Sequence, residues 1–176
     1  MREQRRGRSI AMSPDEVDAF LAGERVCRVA TSRVDGHPHV VPLWFVWDGS
    51  ALWLNSIVRS QRWADLQRDP RVSVVIDAGV EFNELRGVEL AGSVEIASEV
   101  PRTAGRETAA HLTATHQTAE HRPEFADIER RYAEKYSGTP DFVADGRHAW
   151  LRLMPTRLVS WDFRKNPALR PRRATP

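Results

Sequence analysis

Hydrophobic and polar residues alternate with a period of two in several segments of the chain, as is typical of half-buried β-strands. This alternation predicts six strands, at about residues 25–32, 39–47, 52–55, 71–77, 86–97 and 148–161. The dipeptides Asp35-Gly36 and Asp48-Gly49 separate the first three strands and favour hairpin turns. The first three strands are therefore expected to form an antiparallel meander, the usual beginning of a closed sheet.

Helical patterns lie outside these strands. Residues 13–16, Ser-Pro-Asp-Glu, have the residue types of an N-cap, N1 and N3 and predict a helix that ends at Gly23. Ser60 is a second candidate N-cap for a short helix that ends at Asp69-Pro70, and Pro123 begins a third candidate helix. The pattern predicts an α+β fold, a small antiparallel barrel with peripheral helices. Pro155, inside the last strand, predicts a bulge or a sheet edge there.

Polar groups gather where the second of these helices begins. A helix start leaves backbone N–H groups free and carries a partial positive charge, so it favours an anion. The side chains that add hydroxyl and guanidinium donors there are Ser56, Arg59, Ser60 and Arg62. They form a candidate phosphate cradle, although a capped surface helix with ordinary exposed arginines has the same pattern.

Four short motifs follow one another between Val29 and Asp77. They are Gly36-His37-Pro38, then Ser56, then Ser60-Gln61-Arg62, and then Asp69-Pro70-Arg71-Val72. In this order they resemble the core of the pyridoxamine 5′-phosphate oxidase-like split β-barrel family, which includes the flavin and deazaflavin oxidoreductases. The later segments LRGVELAGSVEI and PTRLVSWDFRK resemble the deazaflavin branch of that family.

The resemblance implies a six-stranded antiparallel split β-barrel of the FMN-binding type with peripheral helices. It implies a homodimer in which an isoalloxazine-type ring lies along the second strand at the interface. The cofactor-binding positions implied are backbone groups near Val40, Val41 and Pro42, with Ser56, Arg59, Ser60 and Arg62 at the phosphate.

The implied activity is hydride transfer from a bound cofactor, coenzyme F420 or FMN, to a small unsaturated organic substrate. No catalytic side chain can be named, because the cofactor carries the reactivity. The alternative is a non-catalytic carrier of a flavin, haem or another tetrapyrrole on the same fold.

One position departs from the pattern of the FMN-dependent oxidases. In those enzymes an arginine that binds the phosphate aligns with Val41, and valine cannot make that contact. The two later segments favour F420 over FMN. So does the excess of 24 arginines over 2 lysines, which suggests a GC-rich genome such as an actinobacterial one.

Charge divides the 176 residues into three segments. Residues 1–10 carry four arginines against one glutamate, and residues 164–176 carry four arginines and a lysine without an acid, although the net charge is only +2. We expect a disordered basic arm at 1–10, a single domain at 11–163 and a basic tail at 164–176. The domain itself is therefore acidic, so nucleic acid is not an expected partner, although the arms could bind an anion.

The lone cysteine, Cys27, allows no intramolecular disulfide and suits a cytoplasmic protein. No apolar stretch approaches the length of a membrane span, so no membrane partner is expected.

The histidines do not predict a metal site. His111, His116 and His121 are spaced by five, which separates them around a helix, and His37 and His39 alone would not complete a site.

The aromatic residues raise a different question. Trp44 and Phe45 are neighbours on one strand and cannot both face the barrel interior, so we expect a second buried surface, either a subunit interface or a planar ligand.

Overall fold

The computed structural model describes residues 4, 7–98, 100 and 123–169. The helices are α1 (Pro14–Gly23), α2 (Gln61–Arg68) and α3 (Pro123–Ser137). The strands are β1 (Val26–Ser32), β2 (Pro38–Trp47), β3 (Leu52–Ile57), β4 (Arg71–Ala78), β5 (Arg86–Ile96) and β6 (His148–Asp162). The α+β fold expected from the sequence is confirmed, with six strands among the described residues.

These strands close a barrel in the order β1-β2-β3-β6-β5-β4, and every neighbouring pair is antiparallel. Alternate side chains of each strand fill the interior, as the period of two requires. Fully buried interior residues include Val29, Phe45, Leu54, Val74, Leu90 and Leu151. Each such side chain contributes about 1.5–3 kcal/mol to folding. Cys27 is also fully buried there and is a free thiol.

The barrel is split along β2. Residues Pro38–Trp44 of β2 pair with β1, whereas β3 pairs only with Phe45–Trp47. Within the described residues, the first part of β2 therefore has a sheet neighbour on one side and an open edge on the other. Proline lacks a backbone donor and is confined to such edges, which explains how Pro42 can lie within the strand.

A bulge in β6 lies where Pro155 predicted one. Ala91 of β5 pairs with Arg157 and the next residue, Gly92, pairs with Pro155, so Thr156 is the additional residue. A β-carbon on Gly92 would lie 2.2 Å from the carbonyl oxygen of Met154, so only glycine permits this close approach of the strands.

Two helices pack against the barrel: Val17, Phe20 and Leu21 of α1 join the main hydrophobic core, and α3 covers an outer face. In α1, the Ser13 hydroxyl accepts from the backbone N–H of Glu16, and the Glu16 carboxylate accepts from the N–H of Ser13, which is the predicted capping box. Helix α3 lies over the outer face of β2, β3 and β6. The buried residues of the hydrophobic cluster between α3 and these strands are Val46, Ala51, Trp53, Ile128 and Trp150.

Both ends of the described chain contact the domain. The amide of Gln4 exchanges two hydrogen bonds of 3.0 Å with the backbone of Ser160, and Lys165 Nζ donates to the carbonyl of Ala11 at 2.9 Å. Each of these side chains satisfies a backbone group of the domain. Residues 1–3, 5–6 and 170–176 lie outside the described residues, so the proposed segment boundaries stay a prediction. None of the helices in the described ranges has the length and apolar character needed to cross a membrane.

Candidate functional site

Ser56 and Arg62 meet inside the barrel end that α2 covers. The Arg62 Nη2 donates to the hydroxyl of Ser56 at 2.9 Å, and the exposed fractions of these residues are only 6% for Arg62 and 0% for Ser56. Burial lowers the pKa of Arg62. Its Nε has no hydrogen-bond partner, and no carboxylate of the described residues lies within ion-pair distance of it. Among the described residues, this buried guanidinium therefore has no counter-charge.

The start of α2 explains this burial. The Ser60 hydroxyl caps the helix by accepting from the backbone N–H of Trp63 at 3.2 Å. Trp63 and Leu66 anchor the helix in the hydrophobic core, and the same turn carries Arg62 inward. The structure therefore brings Ser56, Ser60 and Arg62 together, whereas the side chain of Arg59 remains exposed.

The other predicted positions lie along the open edge of β2. Val40 is 58% exposed, Pro42 is exposed, and Val41 between them is half-buried. Trp44 continues the same outer face and is 47% exposed. We name Val40, Pro42 and Trp44 the β2 strip. Phe45 points into the core, so the expectation that Trp44 and Phe45 do not both face the interior is confirmed. One face of the Trp44 ring is covered by Tyr136 of α3, and not by the expected subunit interface or ligand.

Thr31 and Asp65 belong to this site, although the sequence did not single them out. Asp65 is buried on α2, one turn from Arg62, and its carboxylate oxygen accepts from the Thr31 hydroxyl at 2.9 Å. His39 Nδ1 faces the same oxygen at 3.4 Å. The available signal was a charged residue on the inward face of an amphipathic helix, three positions after Arg62.

Metal-binding clusters were not expected. Among the described residues, no group of three or more His, Cys, Asp or Glu side chains could hold a metal ion. The three histidines at positions 111, 116 and 121 lie outside the described residues.

Residues 13–162, which include the whole barrel and α2, match the family described as pyridoxamine 5′-phosphate oxidase. The chain belongs to this family. The pyridoxamine 5′-phosphate oxidase match covers both the Ser56–Arg62 contact and the β2 strip. No curated protein matches the chain.

Solved structures share the fold of this pyridoxamine 5′-phosphate oxidase family member. A conserved hypothetical protein from Mycobacterium tuberculosis, Rv2991, is 27% identical, with 99% of this chain and 98% of that chain covered and a TM-score of 0.70. A protein described as F420 reductase is 20% identical, with 83% and 98% covered and a TM-score of 0.56. HutZ, the haem storage protein from Vibrio cholerae, is 15% identical, with 83% and 93% covered and a TM-score of 0.54. The last two likenesses show a common fold and do not select between their activities.

Proposed function

We propose that this protein is an oxidoreductase that binds coenzyme F420, or FMN, and transfers hydride to a small unsaturated organic substrate. Ser56, Ser60 and Arg62 would hold the phosphate, with Arg59 at the rim. The backbone near Val40, Val41 and Pro42 would flank the ring. Family membership supports a cofactor of the flavin type.

The buried guanidinium of Arg62 is the observation that carries the proposal. A buried charge without a partner is costly, and such groups in proteins are paired or bind a ligand. Within the described residues, the hydrogen-bond partner of Arg62 is the neutral hydroxyl of Ser56. An anion at the start of α2 would supply the missing counter-charge and would also accept from the free N–H groups of the first turn. The residues present therefore suit a phosphate-bearing cofactor.

The β2 strip supports the proposed position of the ring. Val40, Pro42 and Trp44 form an apolar surface beside an open strand edge, so both apolar contact and unpaired backbone groups are available to a planar ligand. Val26 of β1, 40% exposed, pairs with Trp44 and extends this surface. A second copy of the chain packed here would complete a homodimer around the cofactor.

Val41 favours F420 over FMN. The half-buried valine supplies no charge to a compact phosphate dianion, whereas the diester and acidic tail of F420 can use scattered arginines such as Arg59. The bound deazaflavin would supply the hydride chemistry. The chain itself would bind the cofactor, orient it towards the substrate and exclude water.

We also propose a cytoplasmic location, because the single cysteine is buried and unpaired.

Parallel fluorescence titrations with F420, FMN and haemin test the proposal. We expect F420 to bind most tightly, and Arg62→Ala to weaken it about tenfold to a hundredfold, as for a lost charged hydrogen bond. Arg59→Ala should have a smaller effect. Arg68→Ala is the matched control, because Arg68 is an exposed arginine at the other end of α2. Reduced F420 should then be oxidised in the presence of an acceptor.

Other outcomes point elsewhere. Tight FMN binding with negligible F420 affinity would exchange the cofactor and leave the site in place. Binding of haemin alone, without turnover, would favour a tetrapyrrole carrier.

A further inference from the structure

A buried carboxylate holds one side of the His39 ring. Asp65 is 2% exposed, and its two oxygens accept from the Thr31 hydroxyl at 2.9 Å and the Gln61 amide at 2.8 Å. The Nδ1 of His39 lies 3.4 Å from the oxygen that Thr31 contacts, within ion-pair distance, and makes no hydrogen bond to a described residue. Burial alone would raise the pKa of Asp65, but these hydrogen bonds and the nearby His39 hold it below its ordinary value. Asp65 is thus an anion that faces Nδ1.

The His39 side chain is 18% exposed, and no described residue hydrogen-bonds its Nε2. An anion facing Nδ1 keeps a proton on that nitrogen. The neutral imidazole then presents a lone pair at Nε2, whereas the protonated ring presents an N–H donor there. One proton therefore decides whether this edge repels or binds an anion.

His39 lies where the two halves of the proposed cofactor site meet. It precedes Val40 at the open edge of β2, and it shares the inward face of the strand with Val41. Through Asp65 it also contacts α2, where Asp65 follows Arg62 by three residues. His39 thus belongs to the strand that would flank the ring, and its imidazole faces the helix that would hold a phosphate.

We propose that His39, positioned by Asp65, is a proton-dependent ligand of the phosphate ester bound at the start of α2. This inference rests on the proposed function, because it assigns a further contact to the same anion. His39 would supply the positive charge that Val41 cannot. The site would therefore hold its anion more tightly when the imidazole is protonated.

The charged groups around His39 are few. Asp65 faces the ring from α2, the helix that also carries Arg62 and Arg68, and Arg68 donates to the carbonyl of Ser32. Thr31, its partner on β1, is uncharged. The neighbouring hairpin adds the exposed Arg33, Asp35 and His37. Of these groups and His39, the histidines are the side chains whose ordinary charge change falls between pH 5 and 8. His37→Gln is therefore the matched control for His39→Gln.

The first experiment compares FMN with riboflavin, which lacks the phosphate. The ratio of their affinities is measured at pH 6 and pH 8 for wild type, His39→Gln and His37→Gln. The phosphate monoester itself gains negative charge above about pH 6. At each pH, the ratios of wild type and His37→Gln are therefore divided by the ratio of His39→Gln, because the phosphate titrates in that variant too. We expect the corrected wild-type ratio to fall about tenfold between pH 6 and pH 8. His37→Gln should follow wild type.

Equal pH dependence in wild type and His39→Gln would overturn the proposal. A second measurement is independent of the cofactor: inorganic phosphate is added while the His39 ring is followed by NMR, with its signal assigned from the spectrum of His39→Gln. We expect its titration midpoint to rise by about one pH unit, the linked counterpart of a tenfold preference for the protonated form. An unmoved midpoint would overturn the inference even if F420 or FMN binds. A moved midpoint without binding of either cofactor would refute only the proposed function.

Discussion

Trp44 of β2 stacks on Tyr136 of α3, with ring centroids 4.3 Å apart and ring planes 5° from parallel. The Tyr136 hydroxyl also accepts from the backbone N–H of Phe45 at 2.9 Å and lies 2.8 Å from the carbonyl of Arg25. It therefore closes the gap where β1 and β2 begin to separate. One face of Trp44 is fixed by this contact, and the rest of its ring remains available on the β2 strip.

Tyr136→Phe tests the hydroxyl without removing the stack. The backbone N–H of Phe45 would lose its acceptor, so we expect the free energy of unfolding to fall by about 1–3 kcal/mol. Denaturant unfolding measures this change. Tyr132→Phe is the control, because Tyr132 lies in the same aromatic cluster and its hydroxyl has no hydrogen bond to a described residue. Equal losses in the two variants would contradict the role of the Tyr136 hydroxyl.

Arg62→Met separates binding from stability. Methionine is flexible and apolar and can occupy much of the volume of the arginine, so the cost of an unpaired buried charge disappears. We expect the free energy of unfolding of the ligand-free protein to rise by about 1 kcal/mol while cofactor affinity is lost. Arg68→Met, at an exposed position, removes a hydrogen bond to the carbonyl of Ser32 and should lower stability by no more than about 0.5–1.5 kcal/mol. A marked loss of stability in Arg62→Met would instead indicate a structural arginine.

Lys135 should make the free energy of unfolding depend on pH in the alkaline range. Burial, with a smaller effect from Arg25, lowers the pKa of Lys135 to about 8. In the unfolded chain a lysine titrates near its ordinary value of about 10.4. Between these values the unfolded chain binds more protons, so the free energy of unfolding should increase as the pH rises from about 8 to about 10.

Lys135→Met lacks this titration. It should be more stable than wild type at pH 7, and the difference should shrink towards pH 10. Unfolding curves of both proteins across this range measure the effect, and parallel pH profiles would contradict it.

Val26→Glu tests the proposed homodimer. A charge at this 40% exposed position beside Trp44 would be buried against a second copy, so we expect the dimer to dissociate to the 20.0 kDa chain. Val34→Glu is the matched control, because Val34 is 84% exposed in the first hairpin. Light scattering at micromolar concentration measures both masses. A monomeric wild type, or an unchanged mass for Val26→Glu, would refute this interface.

Local sequence signals predicted most of the fold. Alternation located all six described strands, the residues around Ser13 predicted the capping box, and Pro155 predicted the bulge. Each of these features depends on residues close together in the chain. The motifs also selected Ser56 and Arg62, but not their burial, which depends on how Trp63 and Leu66 anchor α2 in the core.

Long-range contacts could not be predicted in the same way. The chain gave no local signal that Tyr136 would cover Trp44, because the two residues are far apart in sequence and are joined only by the position of α3. The cluster of Thr31, His39 and Asp65 likewise combines β1, β2 and α2. Single polar residues in three separate elements resemble ordinary surface positions until the elements are packed together.

The open edge of β2 also bears on solubility. An unpaired strand edge can recruit a strand from another molecule, and this is a common start of aggregation. Pro38 and Pro42 remove two backbone donors from this strand, so an incoming strand would find an incomplete ladder. The same prolines leave the edge free for a small ligand, which needs only a few of its groups. The edge can thus remain unpaired beside a binding site without becoming a template for fibres.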